Sequence, residues 1–258
     1  MKTIKHELPD FDRIEIHPLA DLHIGDRLCD WQMIQERIEY IAKTPNAYCI
    51  LDGDLMDTAI CNSIGDTYSA DPVSPMDQLK LCVKLFSPIA QKTLAVLPGN
   101  HENRLYRFDG IDITEIMCAQ LGIPERYSPT SALVFVRFGR TNAKYHHRPQ
   151  MYSIFAMHGN GGGRREGGKI NRLADLATIV DADLYLMGHT HFPAVFKENF
   201  FRVNAGNSSV MEVEKLFVNS AAALHHGGYG DRQGFKPASR SNPVIYLDGH
   251  KRDLRALL

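Results

Sequence analysis

The sequence predicts a layered α/β fold, and three observations carry that expectation. Short apolar runs alternate with stretches of helical periodicity. From residue 194 onward the chain breaks into short strand-like pieces separated by Gly and Asn turns. Its 258 residues, 44% hydrophobic and 23% charged, fit one sizeable core of ordinary composition, read as one domain over 1–258. No internal repeat or low-complexity tract interrupts it.

The elements follow in order. Apolar runs at 13–19, 47–51, 93–97, 132–138, 151–157 and 184–187 read as strands. Helical patterns lie at 31–43, about 76–85, 113–121 and 170–180. The third has the clearest ends, with Asp112 as N-cap, Glu115 three residues on, and Gly122 after the last turn. Stretches 60–75 and 139–149 are polar loops. The pieces at 194–197, 201–204, 210–213 and 244–247 are expected to form a second sheet packed on the first.

Composition narrows the function. A formal net charge of −1 gives no overall attraction to polyanions, so a nucleic-acid contact would need a local basic patch. The five cysteines (29, 49, 61, 82 and 118) are odd in number and lack CxxC spacing, which reads as reduced thiols. No signal-peptide core and no apolar run of membrane length is present. The expectation is a cytoplasmic protein with no membrane partner.

Five polar clusters each follow a predicted strand: Asp21-Leu22-His23, Gly53-Asp54, Gly99-Asn100-His101-Glu102, His158-Gly159 and Gly188-His189-Thr190-His191. In open α/β folds the loops beyond the strands' carboxyl ends share one crevice, so these residues can meet. Extended backbone would place Asp21 and His23 on one face, and His189 with His191 likewise, unless a turn splits the second pair between two metals. A lone DxH or HxH is more often a surface or capping pair than a ligand pair, and a lone GD only a turn. Together, each after a strand, they form a carboxylate, imidazole and amide donor set suited to manganese, iron or zinc. Two such ions roughly 3.5–4 Å apart would clamp a phosphoryl group and hold an attacking hydroxide in line. They would share a carboxylate, for which Asp54 on its turn is the natural choice.

These motifs, in this order from Ile14 to about Asn207, resemble the calcineurin-like metallophosphoesterase superfamily. The resemblance implies a four-layer α/β/β/α sandwich of two mixed sheets. It implies one metal held by Asp21, His23, Asp54 and His191, and another held by Asp54, Asn100, His158 and His189. It also implies a catalytic role for His101, which stabilises or protonates the leaving oxygen without ligating metal. The implied cofactors are two divalent ions, Mn2+ first, with Fe, Zn2+ or Ni2+ as alternatives. Asp57 keeps the family's GDxxD spacing, but Thr58-Ala59 stands where Ser/Thr protein phosphatases carry Arg-Gly, which favours a phosphodiesterase. The run from Asn100 to Gly122 and the Gly161-Gly162-Gly163-Arg164-Arg165 segment resemble phosphoesterases encoded by bacteriophages and prophages.

Around the motifs, Arg104, Arg164 and Arg165 are candidate substrate-binding residues, since guanidinium forks match phosphate oxygens. Arg107, Lys169 and Arg172 belong to the same basic groups, whose alternative role is a solvated helix start. Tyr229, after His225 and His226, is available to stack on a base, against the alternative of a surface loop. Asp26 and Asp57 are candidates to orient ligand imidazoles, Glu102 to support its neighbours or cap the following helix, and His146 and His147 to lie in a polar loop. The leading expectation is a phosphodiesterase acting on a nucleotide diester or nucleic-acid end. The alternatives are a phosphomonoesterase acting on a nucleotide or phosphoprotein, and a binding scaffold with a dead metal site.

Overall fold

Strands buried on both faces decide the layering. β2 (Arg13–Leu19), β3 (Ala47–Asp52) and β4 (Thr93–Leu97) are buried almost throughout, as parallel strands covered on two sides must be. The computed structural model describes residues 1–60, 63, 74–140 and 148–258, without the Tyr229 side chain. With β10 (Val244–Asp248) and β11 (Leu254–Leu257), these strands form a sheet of order β11-β10-β2-β3-β4. The other sheet contains β1 (Lys2–Glu7), β5 (Ser131–Phe138), β6 (Gln150–Met157), β7 (Leu184–Met187), β8 (Ala194–Asn204) and β9 (Ser209–Asn219). Its order is β1-β5-β6-β7-β9-β8.

The alternation of side chains along each strand builds the layers. Ile14, Ile16, Tyr48 and Ile50 of the first sheet meet Val134, Ile154, Ala156 and Leu186 of the second. On the other face of the first sheet, Cys49 and Leu51 share a core with α1 (Trp31–Lys43), α2 (Pro75–Phe86) and α4 (Ile113–Gln120), through Ile34, Ile38, Leu79, Cys82 and Met117. Phe155, Tyr185 and Phe217 on the far side of the second sheet are covered by Leu173 of α5 (Glu166–Asp175) and by Leu176. The result is the four-layer α/β/β/α sandwich. Asp30, Ser74 and Asp112 cap α1, α2 and α4, each accepting from the backbone N–H three residues on.

The late strands do not make a sheet of their own. Residues 194–204 form one continuous strand, paired with β9 in a hairpin that lengthens the sheet of β7, while β10 pairs antiparallel with β2. β9 meets β7 only over Leu184↔Leu216 to Met187↔Asn219. The rest of the hairpin lies beyond that pairing, where Glu198 and Asn199 are solvated, so polar residues inside a strand looked like a break. β1, β11, α3 (Glu102–Asp109) and α6 (Gly228–Arg232) carry too little apolar periodicity to be read from sequence. Cys29, Cys49, Cys82 and Cys118 are buried and free, and burial pushes the thiols of Cys29, Cys49 and Cys118 up to about 12, so they are inert at neutral pH. Cys61, most of the 60–75 loop, and His146 and His147 lie outside the described residues. Among the described residues no helix is long and apolar enough to cross a membrane.

One buried titratable group is expected to make stability depend on pH away from the motifs. His17 of β2 is 2% exposed and lies under α1, where Arg37 Nη1 is 3.0 Å from its Nδ1. Burial, reinforced by the Arg37 charge, lowers its pKa to about 4. The folded value lies below the unfolded one of about 6.5, so its stability contribution is whole above that pH and is lost as pH falls towards 4. Between pH 7 and pH 5 this amounts to about 2 kcal/mol. Urea denaturation at the two pH values should show His17→Gln with a correspondingly smaller loss than wild type. Equal losses would mean that His17 is not the responsible group.

Candidate metal centre

The two sheets present their motif loops at one edge. β2, β3 and β4 run parallel, as do β6 and β7, so the five clusters leave the carboxyl ends of their strands together. The loop after β2 is zipped to the loop after β3: Asp21 N donates to Gly53 O at 3.0 Å, His23 N to Asp54 O at 3.0 Å and Ile24 N to Leu55 O at 2.9 Å. His189 N reaches across to Asp21 Oδ2 at 2.8 Å. A Cβ on Gly53, whose φ is +82°, would lie 2.6 Å from His158 Nδ1, so only glycine lets these strands' ends approach.

The expected extended backbone is not what aligns Asp21 with His23 or His189 with His191. Asp21, His23, Asp54, His189 and His191 all have left-handed φ between 48° and 64°. Only Thr58 and Ser208 share that feature among the other described non-glycine residues. Each such residue costs roughly 1–2 kcal/mol, and strain concentrated in one place points to a functional constraint.

Glu102, the first residue of α3, holds the turn of Asp54. Its buried carboxylate accepts from Asp54 N at 3.0 Å, Met56 N at 2.9 Å and Gly99 N at 2.8 Å. Asp54, 2% exposed, accepts from His101 N through Oδ1 at 2.8 Å, and its Oδ2 lies 3.2 Å from His158 Nε2. His158 Nδ1 donates to Asp52 O at 2.6 Å, which leaves Nε2 facing Asp54 and Asn100 Oδ1, the latter at 3.3 Å.

Three groupings bring ligand atoms within 4.8 Å of one another: Asp21 with His23 and His191, Asp54 with His158 and His189, and His23 with Asp54 and His101. His23 Nε2 and His191 Nε2 are 3.3 Å apart, and His191 Nε2 is 3.3 Å from Asp21 Oδ1. Buried Asp21 Oδ1 and His189 Nδ1 make no hydrogen bond. Orphaned donor atoms converging in this way fit divalent cations.

The electrostatics agree. Burial holds the His23 imidazole well below its ordinary pKa, helped by the His101 ring, and burial with the His158 charge lowers that of His189. Both are therefore neutral, as ligation requires. Burial also opposes charge on His158, but the Asp54 and Asp21 carboxylates outweigh it and hold the ring well above its usual range. Burial would raise Asp54, yet His158, His101 and His23 keep it well below the carboxylate range. Carboxylates here draw positive charge.

His101 shares this edge but is otherwise engaged. Its Nδ1 lies 3.0 Å from Asp57 Oδ1 and 2.9 Å from Asp57 O, and Arg104 Nη2 is 2.9 Å from its Nε2. A cation at Nε2 disfavours metal ligation by the same nitrogen. Arg104 also reaches Asp57 O at 3.3 Å and Ser63 Oγ at 3.4 Å. Thr58, which replaces the phosphatase arginine, is fully buried and donates to His101 O at 2.5 Å.

Arg164 donates to Gln233 O at 2.8 Å and stacks its guanidinium 5.7 Å from the Phe235 ring centre. Arg165 is an exposed residue at the start of α5, and Tyr229 is within α6, its side chain undescribed. His225 contacts Arg240, with Nδ1 3.1 Å from Nη1. Asp26 holds its own loop by accepting from Leu28 N at 2.7 Å. Sequence reasoning missed Asp52, whose two carboxylate oxygens are buried without a hydrogen bond and whose pKa burial raises well above normal. It also missed Gln78, which accepts from Thr58 N at 2.8 Å. A charged residue ending an apolar strand was the only available signal for Asp52.

Comparisons with known proteins bear on the family. The model described as calcineurin-like phosphoesterase matches residues 16–193. Among solved structures, the chain is similar to a conserved uncharacterized protein, a predicted phosphoesterase, from Streptococcus pneumoniae, with 14% identity, 95% of this chain and 89% of that chain covered, and a TM-score of 0.39. It is also similar to a Vps29 double mutant from Entamoeba histolytica (14%, 94% and 90%, 0.45) and to a Pseudomonas putida nuclease (14%, 94% and 87%, 0.35). No curated protein matches it. The family match spans all five motif loops and more than half of the chain, and this protein belongs to the calcineurin-like phosphoesterase family.

Proposed function

We propose that this metal-dependent phosphoester hydrolase is a phosphodiesterase with two metal positions sharing Asp54. Asp21, His23, Asp54 and His191 would hold one ion, and Asp54, Asn100, His158 and His189 the other. The observation that carries this reading is the reach of Asp54 into two donor groupings, one with His23 and His101 and one with His158 and His189, His23 in turn belonging to the grouping of Asp21 and His191. Divalent ions held there would supply charge neutralisation at the phosphoryl oxygens and activation of the attacking water.

The chain's own residues do the rest. Asp57 fixes the His101 ring through Nδ1, directing Nε2 towards the edge where Asp54 Oδ2 lies 3.9 Å away. From there His101 serves the leaving oxygen, and Arg104, beside the same nitrogen, offers a permanent positive charge to a phosphate oxygen. Thr58 holds the His101 backbone by donating to its carbonyl oxygen. A diester carries less charge than a monoester dianion and depends more on positioning of its flanking groups. The rim arginines 104, 164 and 165 and Tyr229 are proposed for that task, which admits a nucleotide diester or a nucleic-acid end.

The test is a substrate panel on protein reconstituted with Mn2+, Fe, Zn2+ or Ni2+. kcat/KM is expected to be higher for bis-p-nitrophenyl phosphate, cyclic nucleotides or DNA than for p-nitrophenyl phosphate. A higher value for the monoester would establish a phosphomonoesterase instead. No turnover of any ester despite full metal occupancy would indicate a binding scaffold.

A further inference from the structure

His189 is aimed through its second nitrogen. Nε2 lies 2.8 Å from Gly161 O, a pure acceptor, so the bond requires the proton on Nε2 and leaves Nδ1 with its lone pair. Nδ1 is the buried nitrogen without a hydrogen bond. The position of Gly161 O therefore sets both the tautomer of His189 and the direction in which its free nitrogen points.

Gly161 belongs to a segment that cannot fix itself. Gly159, Gly161, Gly162 and Gly163 crowd five positions, and the φ of Gly161 is +78°. One side chain from α5 braces it. Arg172 Nη1 donates to Asn160 O at 2.9 Å and lies 3.5 Å from Asn160 Oδ1, and Nη2 reaches Gly162 O at 3.4 Å. The guanidinium thus bridges the residues on either side of Gly161. It packs so closely that a Cβ on Gly161 would lie 2.4 Å from Nη1. A planar fork with donors on two nitrogens suits this bracing, whereas a lysine could serve only one carbonyl well.

We propose that Arg172 is a positioning residue for the metal centre: by bracing 160–162 it holds Gly161 O against His189 and keeps Nδ1 available to an ion. This rests on the reading of His189 as a ligand. It also gives Arg172 a different task from the phosphate clamp that its basic neighbourhood suggests.

Calorimetric titration of metal-free full-length protein with Mn2+ tests this, with thermal unfolding of the metal-free form alongside. Arg172→Ala should weaken one of the two binding steps by about tenfold, within the usual range for outer partners of ligands. The other step and the metal-free Tm should stay as in wild type, and Arg172→Lys should recover part of the loss. Two wild-type binding steps in Arg172→Ala, with or without a raised KM for a diester, would overturn the proposal, the raised KM returning Arg172 to phosphate binding. Parallel weakening of both steps with a lowered Tm would overturn it in favour of a general structural role. A wild-type protein that binds no Mn2+ would instead overturn the metal-centre reading itself.

Discussion

Asp54→Asn is expected to lose at least one metal ion per chain and, with it, nearly all turnover. The carboxylate is 2% exposed, with Oδ1 on the His101 N–H and Oδ2 beside His158. Asparagine preserves the shape and one oxygen, so Glu102 can still hold the turn through the Asp54 backbone N–H. What disappears is the negative charge that draws cations to a site already crowded by His23, His158 and His189, together with one oxygen donor. Elemental analysis after reconstitution should give two ions for wild type and one or none for the variant. Two ions and unchanged activity in the variant would remove Asp54 from the shared position.

The second large effect is expected at His101. His101→Asn should lower turnover by about two to four orders of magnitude, the range for loss of a general acid or base, while metal content stays at two. The structure makes the metal measurement decisive, because His101 has a ligand atom within 4.8 Å of those of His23 and Asp54. The contacts at both its nitrogens argue against ligation: Asp57 at Nδ1 and the Arg104 guanidinium at Nε2. A fall in metal content alongside activity would make His101 a ligand after all.

Much of this site was legible because its chemistry sits at strand ends, where the change from apolar to polar residues is abrupt. Leu19 to Asp21 and Met187 to His189 show that boundary directly in the sequence. Strands β3, β4 and β7 were readable for the same reason, since continuous burial leaves a nearly uninterrupted apolar run. The hairpin of β8 and β9 was not, because half of it stands in solvent and owes its length to backbone pairing rather than side-chain pattern. The left-handed turns also escaped prediction, and the supporting role expected of Glu102 gave no sign that it would hold three backbone N–H groups at once. Both depend on contacts between loops far apart in sequence, such as Asp21 N to Gly53 O and Asp54 N to Glu102, which no local pattern encodes.

Those left-handed turns limit what mutation can do to this family member. Asp, Asn and His enter that backbone region several times more readily than other side chains, and glycine enters freely. At residues 21, 23, 54, 189 and 191 the conformation therefore admits much the same small alphabet that the proposed metals would. A lineage released from selection for catalysis would not drift at random there. Valine or isoleucine would damage the loops themselves, so asparagine and glycine should replace these residues first. Lost activity in a descendant would then be written as amide or glycine at unchanged turns, a trace that outlasts the ions.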